Sequence, residues 1–381
     1  MQYLVLGAGL QGAACAYDLL QTTDGPVTLA DVRRPDLPPF LAAADTERLN
    51  TVGLDASDHH ALRKVMQDHD SVLCALPYYF NLGAARAAVE AGVHFADLGG
   101  NTEIVRQQEA MDEEARAKGV SVLPDCGLAP GMVNILAADG IARLDSVDSV
   151  KLFVGGLPQE PEPPLNYQIV YSLEGALDYY TTPSWVLRGS RPVEIDALSE
   201  IEAVEFPSPV GTLEAFHTGG GISTMPWDYE GQIASMEYKT LRYPGHAHIM
   251  RAIRELGLLD LTPVQVDGAT VRPRDAFVAV VDSKLRKPDG KDLVAIQVVV
   301  AGTKAGSSAS VTYRVMDFYD PERGISAMMR TTAFSLSITG QMQADGRIGE
   351  AGVRPAYKVT PAGEYLNELQ RRGIAVTIEE E

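Results

Sequence analysis

Met1-Gln2-Tyr3-Leu4-Val5-Leu6-Gly7-Ala8-Gly9-Leu10-Gln11-Gly12 opens the chain, and its reading decides the fold. A short apolar strand runs straight into a GxGxxG turn, and Ala13 to Leu20 continues as a helix. Each glycine has its own steric task. Gly7 permits the tight turn, Gly9 exposes bare backbone to a pyrophosphate, and Gly12 lets the helix pack closely on the strand. The helix N-terminus, with Leu10 and Gln11 in its first turn, directs unbonded N–H groups at the phosphates. A second strand, Val27 to Ala30, ends at Asp31, where an acid is expected to meet the adenosine ribose.

Outward from that turn, strand and helix alternate to about residue 130, as in a doubly wound parallel sheet. Candidate strands are Tyr3 to Leu6, Val27 to Ala30, Leu49 to Leu54, Ser71 to Ala75, His94 to Leu98 and Val120 to Pro124. Candidate helices are Asp58 to Gln67, Leu82 to Ala91 and Glu103 to Lys118. Ligands of open α/β sheets bind at strand C-terminal ends, which singles out the turns Ala75 to Asn81 and Asp97 to Asn101. A Gly- and Pro-rich joint, Pro124 to Met132, precedes a helix from Val133 to Ala142. Beyond it come β-rich segments: Ser149 to Val154, Ser199 to Phe206, Met236 to Tyr243, Val294 to Ala301 and Ser310 to Asp317. Helical stretches, Ile249 to Leu256 and Ile325 to Ala344, punctuate them. The fold class is therefore α/β: an N-terminal Rossmann domain over residues 1–130 and a second α+β domain over 131–325. A final segment, 326–381, is expected to return to the first domain.

A chain of 381 residues is long enough for two domains with a sizeable core. Its net charge of -19 argues against nucleic acid or an anionic membrane as partner, since phosphate binding requires clustered Lys and Arg. No stretch approaches the roughly 20 apolar residues of a membrane span. Cys15, Cys74 and Cys126 form no CxxC pair, so neither a disulfide framework nor a zinc site is expected, and a reducing cytoplasm fits. The histidines His59-His60 and His246-x-His248 also lack zinc-ligand spacing, so no metal is expected. The apolar N-terminus lacks the basic flank of a signal peptide and carries glycines where a cofactor turn needs them.

Asp31 is expected to bond both ribose hydroxyls and repel a 2′-phosphate, favouring NAD over NADP. Arg33 and Arg34 either oppose that preference or form a solvated loop. Asp55, at the end of the third strand, is a candidate for the adenine edge, while Asp58 reads equally as a helix cap. In the second domain, Glu214 to Thr224 gathers an acid, His217, Thr218 and further hydroxyls beside three glycines. His217 is a candidate proton carrier near neutral pH, with a hydrogen-bonded histidine beside a turn as the alternative. In Lys239 to His246, Arg242 is a candidate partner for a substrate carboxylate, with a strand-face salt bridge as its alternative.

The chain resembles the saccharopine dehydrogenase-like family, and within it the lysine 6-dehydrogenase branch. The resemblance rests on VLGAGLQG from Val5, ADV at Ala30 to Val32, DLGG at Asp97 to Gly100 and PDCGLAPGM at Pro124 to Met132. It continues through GGLPQEPEPPLNY at Gly155 to Tyr167, SLEGALDYY at Ser172 to Tyr180, EAFHTGGG at Glu214 to Gly221 and EYKTLRYPGH at Glu237 to His246. It implies an NAD-linked oxidoreductase with an interdomain substrate cleft, assembled as a homodimer or larger homo-oligomer. The implied reaction is oxidative deamination of the ε-amino group of L-lysine to an aldehyde that cyclises. Saccharopine dehydrogenase of the glutamate-forming type is the alternative, and a non-catalytic dinucleotide sensor is a second. For the implied reaction Asp97 or His217 is the candidate base, Arg242, Thr218 and Lys239 are candidates to hold the substrate, and Glu174 is a candidate ammonium partner, with a helix-start carboxylate favoured by the dipole as its alternative. Ala75, Leu76 and Pro77 line the nicotinamide end.

Overall fold

The computed structural model describes residues 1–34, 36–169 and 173–381. Strands β1 (Tyr3–Leu6), β2 (Val27–Asp31), β3 (Leu49–Gly53), β4 (Ser71–Cys74), β5 (His94–Asp97) and β6 (Ser121–Leu123) alternate with helices. All pair in parallel, in the order β6-β5-β4-β1-β2-β3. Helices cover both faces of such a sheet, so its central strands are continuous apolar runs; every residue of β1 and β4 is buried. The expected helix from Glu103 to Lys118 is two helices, Thr102–Glu109 and Asp112–Ala117. Its three-and-four spacing holds on both sides of the break, which no Gly or Pro marks.

The second sheet is mixed. It contains β7 (Ser146–Pro158), β8 (Ser184–Arg188), β9 (Arg191–Ile195), β10 (Glu202–Glu205), β11 (Thr212–His217) and β12 (Ser235–Arg242). A separate hairpin, β13 (Val264–Val266) with β14 (Ala269–Val271), joins neither sheet. The long hairpin β15 (Asp292–Lys304) and β16 (Ser307–Phe318) completes the sheet's centre. Its two-residue turn places Ala305 at φ 51° and Gly306 at φ 78°, the pair of positive dihedrals that matches strand twist.

The C-terminal segment touches both sheets. β17 (Gly352–Val353) extends the first beside β6, and β18 (Thr377–Glu380) pairs β16 in the second. Between them lies helix Ala327–Ala344, buried along nearly its whole length. Gly340 lets it press on β4, since a Cβ there would meet the Leu73 side chain at 2.6 Å. The Gln343 amide donates to the carbonyls of Phe95 at 3.1 Å and Ser121 at 3.2 Å. Among the described residues no helix is long and apolar enough to cross a membrane.

Candidate active site

The C-terminal ends of β1, β2, β4, β5 and β6 open on one edge of the first sheet, and the glycine turn lies at its centre. Gly7 adopts φ +92°, a conformation that side chains resist. A Cβ on Gly12 would fall 1.7 Å from the Gly7 carbonyl oxygen, so the helix Leu10–Thr22 approaches the turn as closely as glycine allows. At Gly9 a Cβ would meet nothing within 4 Å: the open space there is where a pyrophosphate fits. Leu10 is exposed beside it, and Gln11 keeps its buried Oε1 without a partner in the same turn. Asp31 accepts a hydrogen bond from Ala8 N–H at 2.7 Å, which fixes its carboxylate against the turn. The donor set therefore fits a dinucleotide.

Asp55 is fully exposed past β3 and accepts from Ser57 N–H at 2.9 Å and Ser57 Oγ at 2.7 Å, bonds that hold its pKa down. Asp58 caps the next helix, accepting from Ala61 N–H at 3.0 Å. Arg34 donates to Thr51 Oγ1 at 2.9 Å, whereas Arg33 is exposed. Ala75, Leu76 and Pro77 follow β4 directly beside the glycine turn; the Ala75 carbonyl lies 3.0 Å from a Cβ built on Gly7.

Two buried acids sit at the ends of β5 and β6, with different surroundings. Asp97 Oδ1 accepts from the N–H groups of Gly99 at 2.7 Å and Asp125 at 3.3 Å, and Oδ2 accepts from Gln108 Nε2 at 2.7 Å. Burial still pushes its pKa up to about 6. Asp97, expected as a candidate base, thus spends both oxygens on the turn around it. Asp125 lies in the left-handed region at φ 62°, and neither of its oxygens has a hydrogen-bond partner among the described residues. Burial raises it to about 7; the Ser223 hydroxyl and the Gly100 N–H pull it down, and Asp97 adds like-charge repulsion. Gly99 is obligatory beside it, because a Cβ there would be 1.9 Å from Asp125 Oδ1.

Ser223 belongs to the Thr218–Thr224 segment of the second domain, so Asp125 sits where the two domains meet. The end of that segment and the residues just after it are held by Arg106 of the first domain, by Asn134 and by Tyr357 of the C-terminal segment. Thr224 Oγ1 bonds Tyr357 Oη at 3.1 Å, Asn134 Nδ2 donates to Met225 Sδ at 3.1 Å, and Arg106 stacks 4.1 Å over Trp227. Tyr179 from helix Leu173–Thr181 closes on the same place. Its hydroxyl lies 3.5 Å from a Cβ built on Gly100 and its ring 3.0 Å from one built on Gly220. In sequence, Asp125 and the Gly residues around it look like a domain joint; the signal for a site is an acid at the C-terminal end of the sixth strand.

His217 and Lys239 require correction. Opposed residues of paired strands share a face, and His217 pairs Lys239 while Glu237 pairs Lys151. All four lie on the side of β12 away from Tyr238 and Thr240, beneath Glu200 and Glu202. His217 is wholly buried, with Nδ1 on the Tyr238 carbonyl at 3.2 Å and Nε2 on Glu200 Oε2 at 3.1 Å, and burial lowers its pKa. Lys239 Nζ donates to Glu202 Oε1 at 2.6 Å and the Glu200 carbonyl at 2.7 Å. Glu200, His217 and Glu237 hold ligand-type atoms within 4.8 Å of one another. The Arg188 guanidinium already bridges the two carboxylates, at 3.0 and 2.5 Å.

Thr218 and Arg242 occupy the opposite face, with Tyr238 and Thr240. Thr218 Oγ1 bonds Thr240 Oγ1 at 2.7 Å, next to Tyr238. Arg242 alternates with Tyr238 and Thr240 on that face, nearly buried, its guanidinium 4.8 Å over the Tyr167 ring and Nη1 donating to the Leu241 carbonyl at 2.8 Å. Its register partner Glu214 forms no strand-face pair with it, because the Glu214 carboxylate caps helix His246–Glu255 through Gly245 N–H at 2.9 Å and Ala247 N–H at 2.6 Å. Glu174 is exposed in the first turn of helix Leu173–Thr181; Ser172, which begins the SLEG motif, lies outside the described residues.

The glycine turn, with the open space at Gly9 and Asp31 held against it, defines a dinucleotide-binding protein. The chain belongs to the saccharopine dehydrogenase family: the family's NADP binding domain matches residues 3–123 and its C-terminal domain residues 127–374. It is 25% identical over 342 residues to the saccharopine dehydrogenase [NADP(+), L-glutamate-forming] of Saccharomyces cerevisiae, covering 82% of this chain and 73% of that enzyme. The enzyme of the same name from Schizosaccharomyces pombe is 24% identical over 269 residues, 68% of this chain. That match spans 58% of the fission-yeast enzyme's length, and a match to the alpha-aminoadipic semialdehyde synthase of Arabidopsis thaliana spans 23% of it. In fold, the chain superimposes on apo saccharopine dehydrogenase (L-Glu forming) from Saccharomyces cerevisiae with a TM-score of 0.81 at 19% identity, covering 100% and 99% of the two chains.

Proposed function

We propose that this chain is an oxidoreductase that makes or breaks the carbon–nitrogen bond of an amino-acid amine, of the saccharopine type, using a pyridine dinucleotide. One observation carries the reading: a buried carboxylate without partners, Asp125, tuned to about 7 at the domain seam beside the cofactor turn. A general base works best when its pKa lies near the working pH. The names of the relatives support the substrate class. Residues 1–130 would hold the cofactor and 131–325 most of the substrate, with 326–381 bracing the two.

The bound nicotinamide supplies a hydride acceptor. This chain's residues do the rest. Asp125 takes a proton from the substrate ammonium, since only a neutral amine has the lone pair that drives hydride from the adjacent carbon. The resulting imine adds water, and Asp125 returns its proton to the departing nitrogen as the carbon–nitrogen bond breaks. Arg242 offers the charge-assisted bond for a substrate carboxylate, and Thr218, Thr240 and Ser223 offer hydroxyls along the wall. Asp31, fixed by Ala8, favours NAD, because a 2′-phosphate would face a carboxylate that cannot turn away. Both yeast relatives carry NADP(+) in their names, so cofactor choice would separate this chain from them.

A second reading keeps L-lysine as substrate. It is favoured by the turning of Lys239 to the outer face, which leaves Arg242 as the single candidate among the two cations expected to anchor carboxylates. Saccharopine carries three carboxylates and needs more. The proposal is tested by replacing Asp125 with Asn and following formation of reduced cofactor: turnover should fall about 10²- to 10⁴-fold, the usual cost of losing a general base, while dinucleotide affinity stays.

A further inference from the structure

Ser223 adopts φ 46°, in the left-handed region that a side chain resists and a glycine enters freely. Three glycines, Gly219 to Gly221, stand just before it, and the turn still carries a serine at this position. The conformation is held from both sides: Ser223 N–H donates to the Gly220 carbonyl at 3.1 Å, and Thr224 Oγ1 is bonded to Tyr357 Oη at 3.1 Å. Residues strained in this way gather at functional sites, where the surrounding structure over-determines them. Ser223 is 4% exposed, and its hydroxyl has no hydrogen-bond partner among the described residues. Both oxygens of Asp125 are likewise without one, although the Ser223 hydroxyl acts on that carboxyl and draws its pKa down. Buried polar groups that influence one another without bonding are the setting of a bridging water, which typically satisfies about three of them. Gly100 N–H, which also acts on Asp125, is a third such group. Tyr179 covers the place, its ring against Gly220 and its hydroxyl against Gly100.

We propose that Ser223 and Asp125 hold between them the water that attacks the imine, and that the Ser223 hydroxyl aims it. The inference rests on the role given to Asp125 above. Once Asp125 has taken the ammonium proton and hydride has left the adjacent carbon, the substrate is a protonated imine and Asp125 is a neutral acid. It can no longer accept from the water, and Ser223 Oγ can. One water O–H donates to Ser223 Oγ, which turns an oxygen lone pair towards the imine carbon. The carbon–oxygen bond forms, the second C=N pair returns to nitrogen, and one water proton passes to that nitrogen. The new hydroxyl then releases its proton to solvent as its electrons close the carbonyl. The carbon–nitrogen pair leaves with the nitrogen, which takes the proton held by Asp125. One water is consumed and one proton released, and Asp125 ends ionised.

Rapid mixing separates the steps, because hydride leaves before water adds. Reduced cofactor is followed from the first turnover into the steady state, with excess NAD and saccharopine and, separately, L-lysine. Ser223→Gly removes the hydroxyl and relieves the backbone; Ser223→Ala removes the hydroxyl and keeps the strain. Both should form the first equivalent of reduced cofactor per site at close to the wild-type rate and then turn over about 10²-fold more slowly, the effect of a displaced reacting group. Ser223→Gly should melt no lower than wild type, which separates the effect from misfolding. Asp125→Asn should instead slow the first equivalent itself. Ser223 variants that slow both phases equally, or neither, would overturn the proposal and leave Asp125 as base. An Asp125→Asn variant with an unchanged first equivalent would overturn the base and this inference with it.

Discussion

The backbone N–H of Asp125 donates to Oδ1 of Asp97 across 3.3 Å, so the acid with all its bonds made holds in place the acid with none. Their replacements should therefore separate. Asp97→Asn puts an amide among N–H donors of Gly99, Asp125 and Gln108, and should cost about 1 to 3 kcal/mol of stability, the price of an unsatisfied buried donor. Asp125→Asn should lower turnover about 10²- to 10⁴-fold without that loss. Thermal melts and steady-state rates on both variants check the contrast.

The pH dependence follows from the raised pKa of Asp125. Its carboxyl is near the ordinary carboxylate value of about 3.9 when unfolded and about 7 when folded. The folded state thus binds the extra proton between those values, and the stability it contributes is present below about pH 4 and lost as pH rises through about 7. Asp125→Asn should accordingly raise the melting temperature at pH 8 relative to wild type, with the gain fading towards pH 4. As a base the residue acts when deprotonated, so wild-type kcat/KM should climb through about pH 7, and that limb should vanish in the variant.

Asp31 is held by Ala8 N–H, so Asp31→Ser removes both the ribose acceptor and a brace of the glycine turn. NAD affinity should fall by tenfold or more, about 1.4 kcal/mol, and NADP should gain relative to NAD because the repelling charge is gone. Titration of both cofactors by fluorescence measures the ratio. A wild type already preferring NADP would refute the role given to Asp31.

His217→Gln should leave turnover close to wild type at every pH, because the imidazole faces Glu200 and the Tyr238 carbonyl on the outer side of the sheet. Stability should drop by about 1 to 2 kcal/mol, since the buried partners lose a hydrogen bond. Denaturant melts beside steady-state kinetics distinguish this from a base.

How much was legible in the sequence differs between the two halves. Strands β1 to β6 were readable to within a residue or so, because parallel strands buried on both faces are unbroken apolar runs and the glycine spacing marks the turn. The second sheet hides its meaning in partners distant along the chain. His217 and Lys239 look like site residues beside glycines, but which face of β11 and β12 they occupy depends on register with Glu200, Glu202 and Lys151. Asp125 likewise stood in a quoted motif, and only the arrival of Ser223 and Tyr179 from the other domain makes it a site. β13 and β14 escaped notice because three-residue strands carry too little alternation.

Initial rates of reduced-cofactor formation with saccharopine and with L-lysine, each with NAD and NADP, on wild type and Asp125→Asn, test the central claim most directly. The account predicts that saccharopine with NAD has the highest kcat/KM and that Asp125→Asn loses about 10²-fold or more of it. A higher value for lysine, with the same loss in the variant, would move the substrate to the second reading. Reduced cofactor from neither amine, or a variant as fast as wild type, would contradict the account.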